Sequence, residues 1–393
     1  MSKIIYVDNA ATTPVSKTVF EAMAPYFCEL YGNPSNANIY DIGDTAKKAV
    51  DKARAQVAKA INCSPDEVYF TSCGSESDNW AIKGTARALF SKGKKHIITT
   101  AIEHHAVINT VEALKKDGFD ITILPVDSEG FVTAQQVKDA IRPDTALVTV
   151  MMANNEIGTI EPIAEIGAVC REAGVWFHTD AVQAAGAIPI DVKAQNVDML
   201  SMSAHKFNGP KGVGALYIKK GINPQNLIDG GAQERRHRAG TENVAGIVGL
   251  GEAIELATSG LDEKMKQEAA LRNYVIEHAL AIEKTQLNGP KDMSRRLPNN
   301  ANIGFLGAES ESILLFLDMR GICASSGSAC ASSDLDPSHV LLAIGVPHAV
   351  ANCSLRISFG VQNTMDDAKT VCEALEEYVP EVRRRSAIWH VNG

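Results

Sequence analysis

The sequence predicts an α/β fold built on a mostly parallel sheet, and two features of its patterning carry that expectation. Short apolar runs recur at residues 67–72, 96–101, 147–152, 175–180 and 197–203, separated by stretches with helical periodicity. Repeated strand, helix, strand units of this kind form parallel sheets. Each run also ends, on its carboxyl side, in a polar cluster: Cys73-Gly74-Ser75-Glu76-Ser77, Glu103-His104-His105, Asn154-Asn155-Glu156, Asp180-Ala181-Val182-Gln183 and Ser203-Ala204-His205-Lys206. Ligands of open α/β sheets bind at the carboxyl ends of strands, so these clusters are expected to converge on one site.

Length and composition bound the reading. A chain of 393 residues can bury a large core and is expected to divide into two domains. The net charge of -9 and the pI near 5.6 argue against nucleic acid or an anionic membrane as the main partner. No apolar run reaches transmembrane length, and Met1-Ser2-Lys3-Ile4-Ile5-Tyr6 has no signal-peptide core, so a soluble, cytoplasmic protein is expected. The eight cysteines include no C-x-x-C pair, which speaks against zinc and against a disulfide framework. No metal is expected.

In chain order, Tyr6-Val7-Asp8-Asn9-Ala10-Ala11-Thr12-Thr13-Pro14 opens with a short apolar run followed by cap chemistry, with Asp8, Asn9 and Thr13 as candidate caps and Pro14 near a first helical position. Residues 44–60 read as an amphipathic helix with Ala46, Ala49, Val50, Ala53, Val57 and Ala60 on its apolar face. At residues 71–79, a strand gives way to Gly74 and Ser75 and then to a helix from about Glu76. Such a junction offers backbone N–H groups and a helix dipole to an anion, or else is an ordinary N-cap by Ser75.

His104 follows the next strand, where an imidazole can stack on a flat ring and move protons near neutral pH; His105 is expected to point elsewhere. Asn155 is either a donor to a ring oxygen or a turn residue. Asp180 ends a buried-looking strand and is either a helix N-cap or a carboxylate placed to pair with a pyridinium nitrogen. Gln183, Ser203 and His205 can hydrogen-bond a ring hydroxyl or a phosphate. Lys206 lies on a Gly-rich turn between two apolar runs, so its ammonium is expected to be partly desolvated and its amine able to condense with a carbonyl.

Asn-Asn-Glu-Ile-Gly at 154–158, His-Thr-Asp-Ala-Val-Gln at 178–183 and Ser-Ala-His-Lys at 203–206, followed by Gly-Pro-Lys-Gly, resemble the cysteine desulfurases of the class-V aminotransferase family. These are pyridoxal-phosphate enzymes of fold type I, and the match runs from Tyr6 to Arg356. The resemblance implies a large cofactor-binding domain at 13–256 and a smaller α+β domain from 1–12 and 257–393. It implies pyridoxal 5'-phosphate as cofactor, held by Gly74, Ser75, His104, Asn155, Asp180, Gln183, Ser203, His205 and Lys206. Thr241 would reach the phosphate of a neighbouring subunit in a homodimer, and Arg356, with Asn155, would bind the substrate, its guanidinium taking the carboxylate.

Cys330 lies in the small, polar stretch 324–337, which reads as a mobile loop and resembles the longer loop of the branch serving iron-sulfur cluster assembly. A thiolate there is a strong nucleophile. The implied reaction converts L-cysteine to alanine: Lys206 and His104 move protons, and Cys330 takes the sulfur as a persulfide for an iron-sulfur scaffold or another acceptor protein. The alternatives are a selenocysteine lyase, a cysteine-sulfinate desulfinase, or a chain that kept the fold as a non-enzymatic partner. The sequence departs from the family in the longer segment Asn36-Ala37-Asn38-Ile39-Tyr40, with Tyr40 where a histidine is common, and in Cys73, which puts a second thiol beside the proposed cofactor. Leu314, Leu315, Phe316 and Leu317 read as core of the smaller domain, and the basic tail after Val382 as a docking segment for an acceptor.

Overall fold

The buried runs of the sequence assemble at the centre of a seven-stranded sheet. The computed structural model describes residues 4–326, 337–386 and 389. Strand order is Val68–Thr71, Gly214–Ile218, Met199–Ser203, Trp176–Asp180, Thr145–Thr149, His96–Thr100 and Asp120–Leu124. Gly214–Ile218 runs antiparallel to both neighbours and every other pairing is parallel. Strands covered on both faces need apolar residues at nearly every position, which is why they read as continuous apolar runs. The edge strand Asp120–Leu124 is half exposed, and the sequence reading passed over it for that reason.

Helices Asp41–Ala60 and Val244–Thr258 cover one face, packed through Val50, Ala53 and Val57 on the first and Ile247, Leu250 and Ile254 on the second. Helix Gly74–Phe90 covers the other through Trp80, Ala81 and Ile82. A second core, around Val275, Ile303, Phe305, Leu317, Leu355 and Leu375, fills the space between helices Leu261–Leu280 and Met365–Arg385 and a four-stranded antiparallel sheet. Its strand order is Ser325–Ser326, Ser354–Ser358, Asn300–Phe305 and Thr285–Leu287, and Ile5–Tyr6 pairs separately with Ile322–Cys323.

Several local expectations are corrected. Asp8, Asn9 and Thr13 cap no helix: the first one is Lys17–Met23, capped by Ser16, whose side chain accepts from the Val19 N–H. Asn9 donates instead to the Ser358 carbonyl at 2.8 Å, and the Thr13 hydroxyl to the His205 carbonyl at 2.8 Å. Extended backbone crossing between two sheets must find such partners or leave buried polar groups unpaired. Ser325 and Ser326, expected in the mobile stretch, pair with Arg356 and Leu355 as a short strand; Cys330 lies outside the described residues. Leu315 is 69% exposed, because the helix Ser310–Met319 is amphipathic and turns Ile313 and Leu317 to the core instead. In the basic tail, Arg383 is buried and donates to the Leu306 and Lys284 carbonyls, so it is a packing residue rather than a docking one.

One buried ion pair fixes a strained segment beside the sheet. Glu234, Arg235 and Arg236 have φ of 43°, 56° and 71°, a left-handed region costly for side chains with a Cβ. The Glu234 carboxylate takes two N–H groups of Arg54 at 2.7 and 2.8 Å and the Phe70 N–H at 3.0 Å. Removing one partner strands the other charge in the interior. Glu234→Ala is therefore expected to lower stability by about 3–5 kcal/mol in urea denaturation, and a loss below about 1 kcal/mol would show that the pair does not hold the segment.

Candidate active site

The polar clusters meet at a cavity of about 470 Å³ at the carboxyl ends of the parallel strands. Gly74, Ser75, His104, Asn155, Asp180, Gln183, Ser203, His205, Lys206 and Arg356 all line it. Thr241 does not; it is exposed on the surface of its own chain.

Lys206 closes the short 3-10 turn Ala204–Lys206 that follows the buried strand Met199–Ser203. Its Nζ donates to the carbonyls of Ala10 at 2.6 Å and Ala11 at 2.8 Å. The same wall takes the Gln183 amide, which donates to the Ala10 carbonyl at 2.9 Å, and His205 Nδ1 lies 3.1 Å from the Thr12 hydroxyl. Burial, with the charges of Lys206 and Lys211, pushes the His205 imidazole down to about 4, so it is neutral near pH 7.

His104 is the N-cap of helix His105–Lys116, its Nδ1 accepting from the Ala106 N–H at 3.1 Å. That bond assigns the ring proton to Nε2. Burial lowers its pKa, against the opposing pull of Asp180, so the ring is held as neutral imidazole. Asp180 is 5% exposed and accepts from the Val182 N–H at 2.9 Å; burial raises its pKa while His104 and Lys206 draw it back.

The helix Gly74–Phe90 begins at the cavity. Its N-cap is Cys73 rather than Ser75, and the Cys73 side chain makes no capping hydrogen bond. A Cβ on Gly74 would fall 2.6 Å from Val182 Cγ2, so glycine is needed for the helix start to pack this close. First-turn N–H groups uncapped by a side chain, at the mouth of a polar cavity, form an anion cup.

Arg356 enters from the second sheet, 2% exposed. Its guanidinium donates to Asp8 Oδ1 at 2.8 Å and to the Asn155 carbonyl at 3.1 Å, while its Nε has no partner among the described residues. The side chain thus carries an internal ion pair and also lines the cavity.

The sequence reading assigned no role to Asp78, Glu103, Glu156, Ser338 or His339, all of which line the cavity. Glu103 and Glu156 stand inside the polar clusters, so strand-end position was the available signal; 338 and 339 come from a distant part of the chain and gave none. His105, expected to point elsewhere, also lines the cavity, its ring 4.8 Å from that of His339. His339 Nε2 in turn lies 3.0 Å from the Glu103 carbonyl. Cys73 is in the lining, as its position beside Gly74 led one to expect.

Glu156 is 6% exposed, accepts from the Ser338 hydroxyl, and is pushed by burial from 4.5 to about 7. The folded protein therefore keeps a proton that the unfolded chain has released, and this contribution to stability is lost as pH rises from about 4.5 through about 7. Glu156→Gln keeps the acceptor without the charge. Its melting temperature relative to the unsubstituted protein is expected to rise between pH 5 and pH 8; a constant difference would mean that Glu156 is ionised throughout.

The sequence profile of the family described as aminotransferase class-V matches residues 5–371. A cysteine desulfurase IscS of Clostridium botulinum is 57% identical over 390 residues, covering 99% of this chain and 98% of the relative. One of Methanosarcina thermophila is 54% identical, covering 98% of this chain and 95% of the relative. Among solved structures, a NifS-like protein superposes with a TM-score of 0.90 at 38% identity, covering 96% of this chain and all of the other. A structure described as SspA in complex with cysteine gives a TM-score of 0.80 at 39% identity, covering 90% of this chain and 98% of the other.

Proposed function

The chain belongs to the class-V aminotransferase family, and from that premise we propose that it is a pyridoxal-phosphate-dependent cysteine desulfurase, converting L-cysteine to L-alanine with a persulfide on Cys330. The observation that carries the reading is the convergence of an amine, a buried carboxylate, an imidazole and a guanidinium on one cavity with an anion cup at its edge. Those residues fit the cofactor: the first-turn N–H groups of the helix that begins at Gly74 suit a phosphate, and Asp180 offers a carboxylate in a dry wall. When bound, pyridoxal phosphate supplies an electron sink for the substrate's α-carbon.

Lys206 would hold the cofactor covalently, with Asp180 on its ring nitrogen. Gly74, Ser75, Ser203 and His205 would hold the phosphate, and Asn155 and Gln183 the ring oxygen. His104, neutral at working pH, is suited to stack on the ring and to exchange protons with the substrate. The resemblance also supports Thr241 as a phosphate ligand given across a homodimer, which its absence from its own cavity accommodates.

Arg356, in the cavity wall, would bind the substrate carboxylate through its guanidinium. Lys206 and His104 would then carry protons between substrate carbon atoms. The Cys330 thiolate would attack the substrate sulfur: the carbon-sulfur bond breaks as the new sulfur-sulfur bond forms, and the substrate carbon ends as alanine after protonation. The described flanks of Cys330 favour this role, because Ser325 pairs with Arg356, and Pro337 lines the cavity. The persulfide would pass to an iron-sulfur scaffold or another acceptor protein in the cytoplasm; among the described residues no single helix is long and apolar enough to cross a membrane.

Alanine and sulfide released from L-cysteine in the presence of a thiol reductant test the proposal. Cys330→Ala is expected to lose more than about 10³-fold in rate while keeping its bound cofactor. Equal rates in the two proteins would remove Cys330 from the mechanism and leave a selenocysteine lyase or a sulfinate desulfinase as the better account.

A further inference from the structure

Beneath the cavity lie three carboxyl groups that the mechanism uses only in part. Asp78, from the helix Gly74–Phe90, is 1% exposed, Glu103 is 0% exposed and Asp180 is 5% exposed; all three line the cavity. An ionised carboxylate in such a place needs a donor on each oxygen or a cation beside it. Among the described residues Asp78 Oδ1 has no hydrogen-bond partner, and neither has Glu103 Oε2. Glu103 Oε1 is fixed by the Thr100 hydroxyl at 2.8 Å and the Met151 N–H at 2.9 Å, which leaves the second oxygen aimed where nothing donates to it.

The nearest basic group to Asp78 is His178, with Nε2 at 3.7 Å from Oδ1. That ring is already engaged, with Nε2 at 2.9 Å from the Ser201 hydroxyl and Nδ1 at 2.8 Å from the Thr149 hydroxyl, and burial pushes it down to about 3. It carries no charge to offer. Asp180 differs from the other two: Val182 donates to it, neither of its oxygens is a buried orphan, and His104 and Lys206 pull its titration toward the charged form.

We propose that Asp180 is the one charged member of this cluster and that Asp78 and Glu103 carry protons, acting as positioning residues that confine the negative charge to Asp180. Their protons turn each orphaned oxygen into a hydroxyl and remove two charges that would otherwise compete with Asp180 for any cation in the cavity. Their surroundings agree. Asp78 faces Asp180, Glu103 and Cys73, and is raised well above the ordinary carboxylate range by burial and by Asp180, against the opposing pull of the Ser201 hydroxyl. Glu103 faces Asp180 and Glu161, itself raised by burial, and is pushed by its own burial to about 8. The histidines on the same wall, His104 and His339, are both shifted toward neutral, again by burial.

The protonation claim stands apart from the catalytic reading; the positioning role rests on Asp180 facing the cofactor as proposed above. Infrared difference spectra of the cofactor-free protein test the first part. At pH 7 the carboxylic acid C=O stretch is expected to include, beside contributions from Glu156 and Glu161, two components of this cluster, one lost in Asp78→Asn and the other in Glu103→Gln. In the unsubstituted protein, which needs no variant to fold, the Glu103 component is expected to fade as pH passes about 8. A carboxylic acid stretch at pH 7 that neither substitution changes overturns the proposal whatever the L-cysteine assay shows. With cofactor bound, the visible absorbance is expected to shift near pH 8 as the second charge arises, and Glu103→Gln to lose that shift; a shift retained in the variant overturns the positioning role.

Discussion

The ammonium of Lys206 has to be held at the end of a buried strand, and the peptide carbonyls of Ala10 and Ala11 hold it. Because those carbonyls come from the N-terminal segment, that segment must lie across the carboxyl edge of the large sheet. It is fixed there at several points: Thr13 bonds the His205 carbonyl, Gln183 bonds Ala10, and His205 meets Thr12. On its other side Asn9 bonds Ser358, and Asp8 pairs with Arg356. One short stretch of extended backbone thus joins the amine on the first core to the guanidinium on the second. Each of these bonds satisfies a polar group that packing has already removed from water, so they fix geometry more than they add stability.

A second consequence is electrostatic. The cavity wall and the strand behind it are dry enough to hold the imidazoles of His104, His178 and His205 neutral and to raise the carboxyl groups of Glu103, Glu156 and Asp180. Burial is the largest cause in every case, so the walls of the cavity, more than any single ion pair, set its protonation. Glu156 connects this wall to the helix His339–Ala343, since it accepts from Ser338, the residue that caps that helix. Pro337 and Ser338 are therefore pinned at the cavity.

Much of this was legible in the chain. A strand that is buried on both faces writes a continuous apolar run, and the polar residues at its carboxyl end must serve a ligand or a turn, so the cavity-lining clusters could be found by position alone. Asp120–Leu124 was missed because an exposed edge strand carries no such run. The caps proposed at Asp8, Asn9 and Thr13 misread polar residues whose partners lie some 190 to 350 positions away, a distance that no local pattern encodes. Ser338 and His339 failed for the same reason. Glu103 and Glu156 were visible but unassigned, because only the fold reveals that a charged residue beside a strand end has been stripped of water.

Arg356 combines an internal ion pair with a place in the cavity wall. A buried guanidinium with no partner would be costly, so the resting protein needs Asp8 at 2.8 Å and the Asn155 carbonyl at 3.1 Å. Those contacts leave Nε, also buried, without a partner among the described residues. In the proposed reaction a substrate carboxylate arriving at the cavity face finds a guanidinium already oriented and already dehydrated, with Asp8 balancing its charge in the meantime. Little reorganisation then accompanies binding, and the affinity depends on how well the carboxylate competes with Asp8 for the same planar donor set. The ion pair is thus part of the recognition device, since without Asp8 the guanidinium would not be held buried in the orientation that the substrate requires.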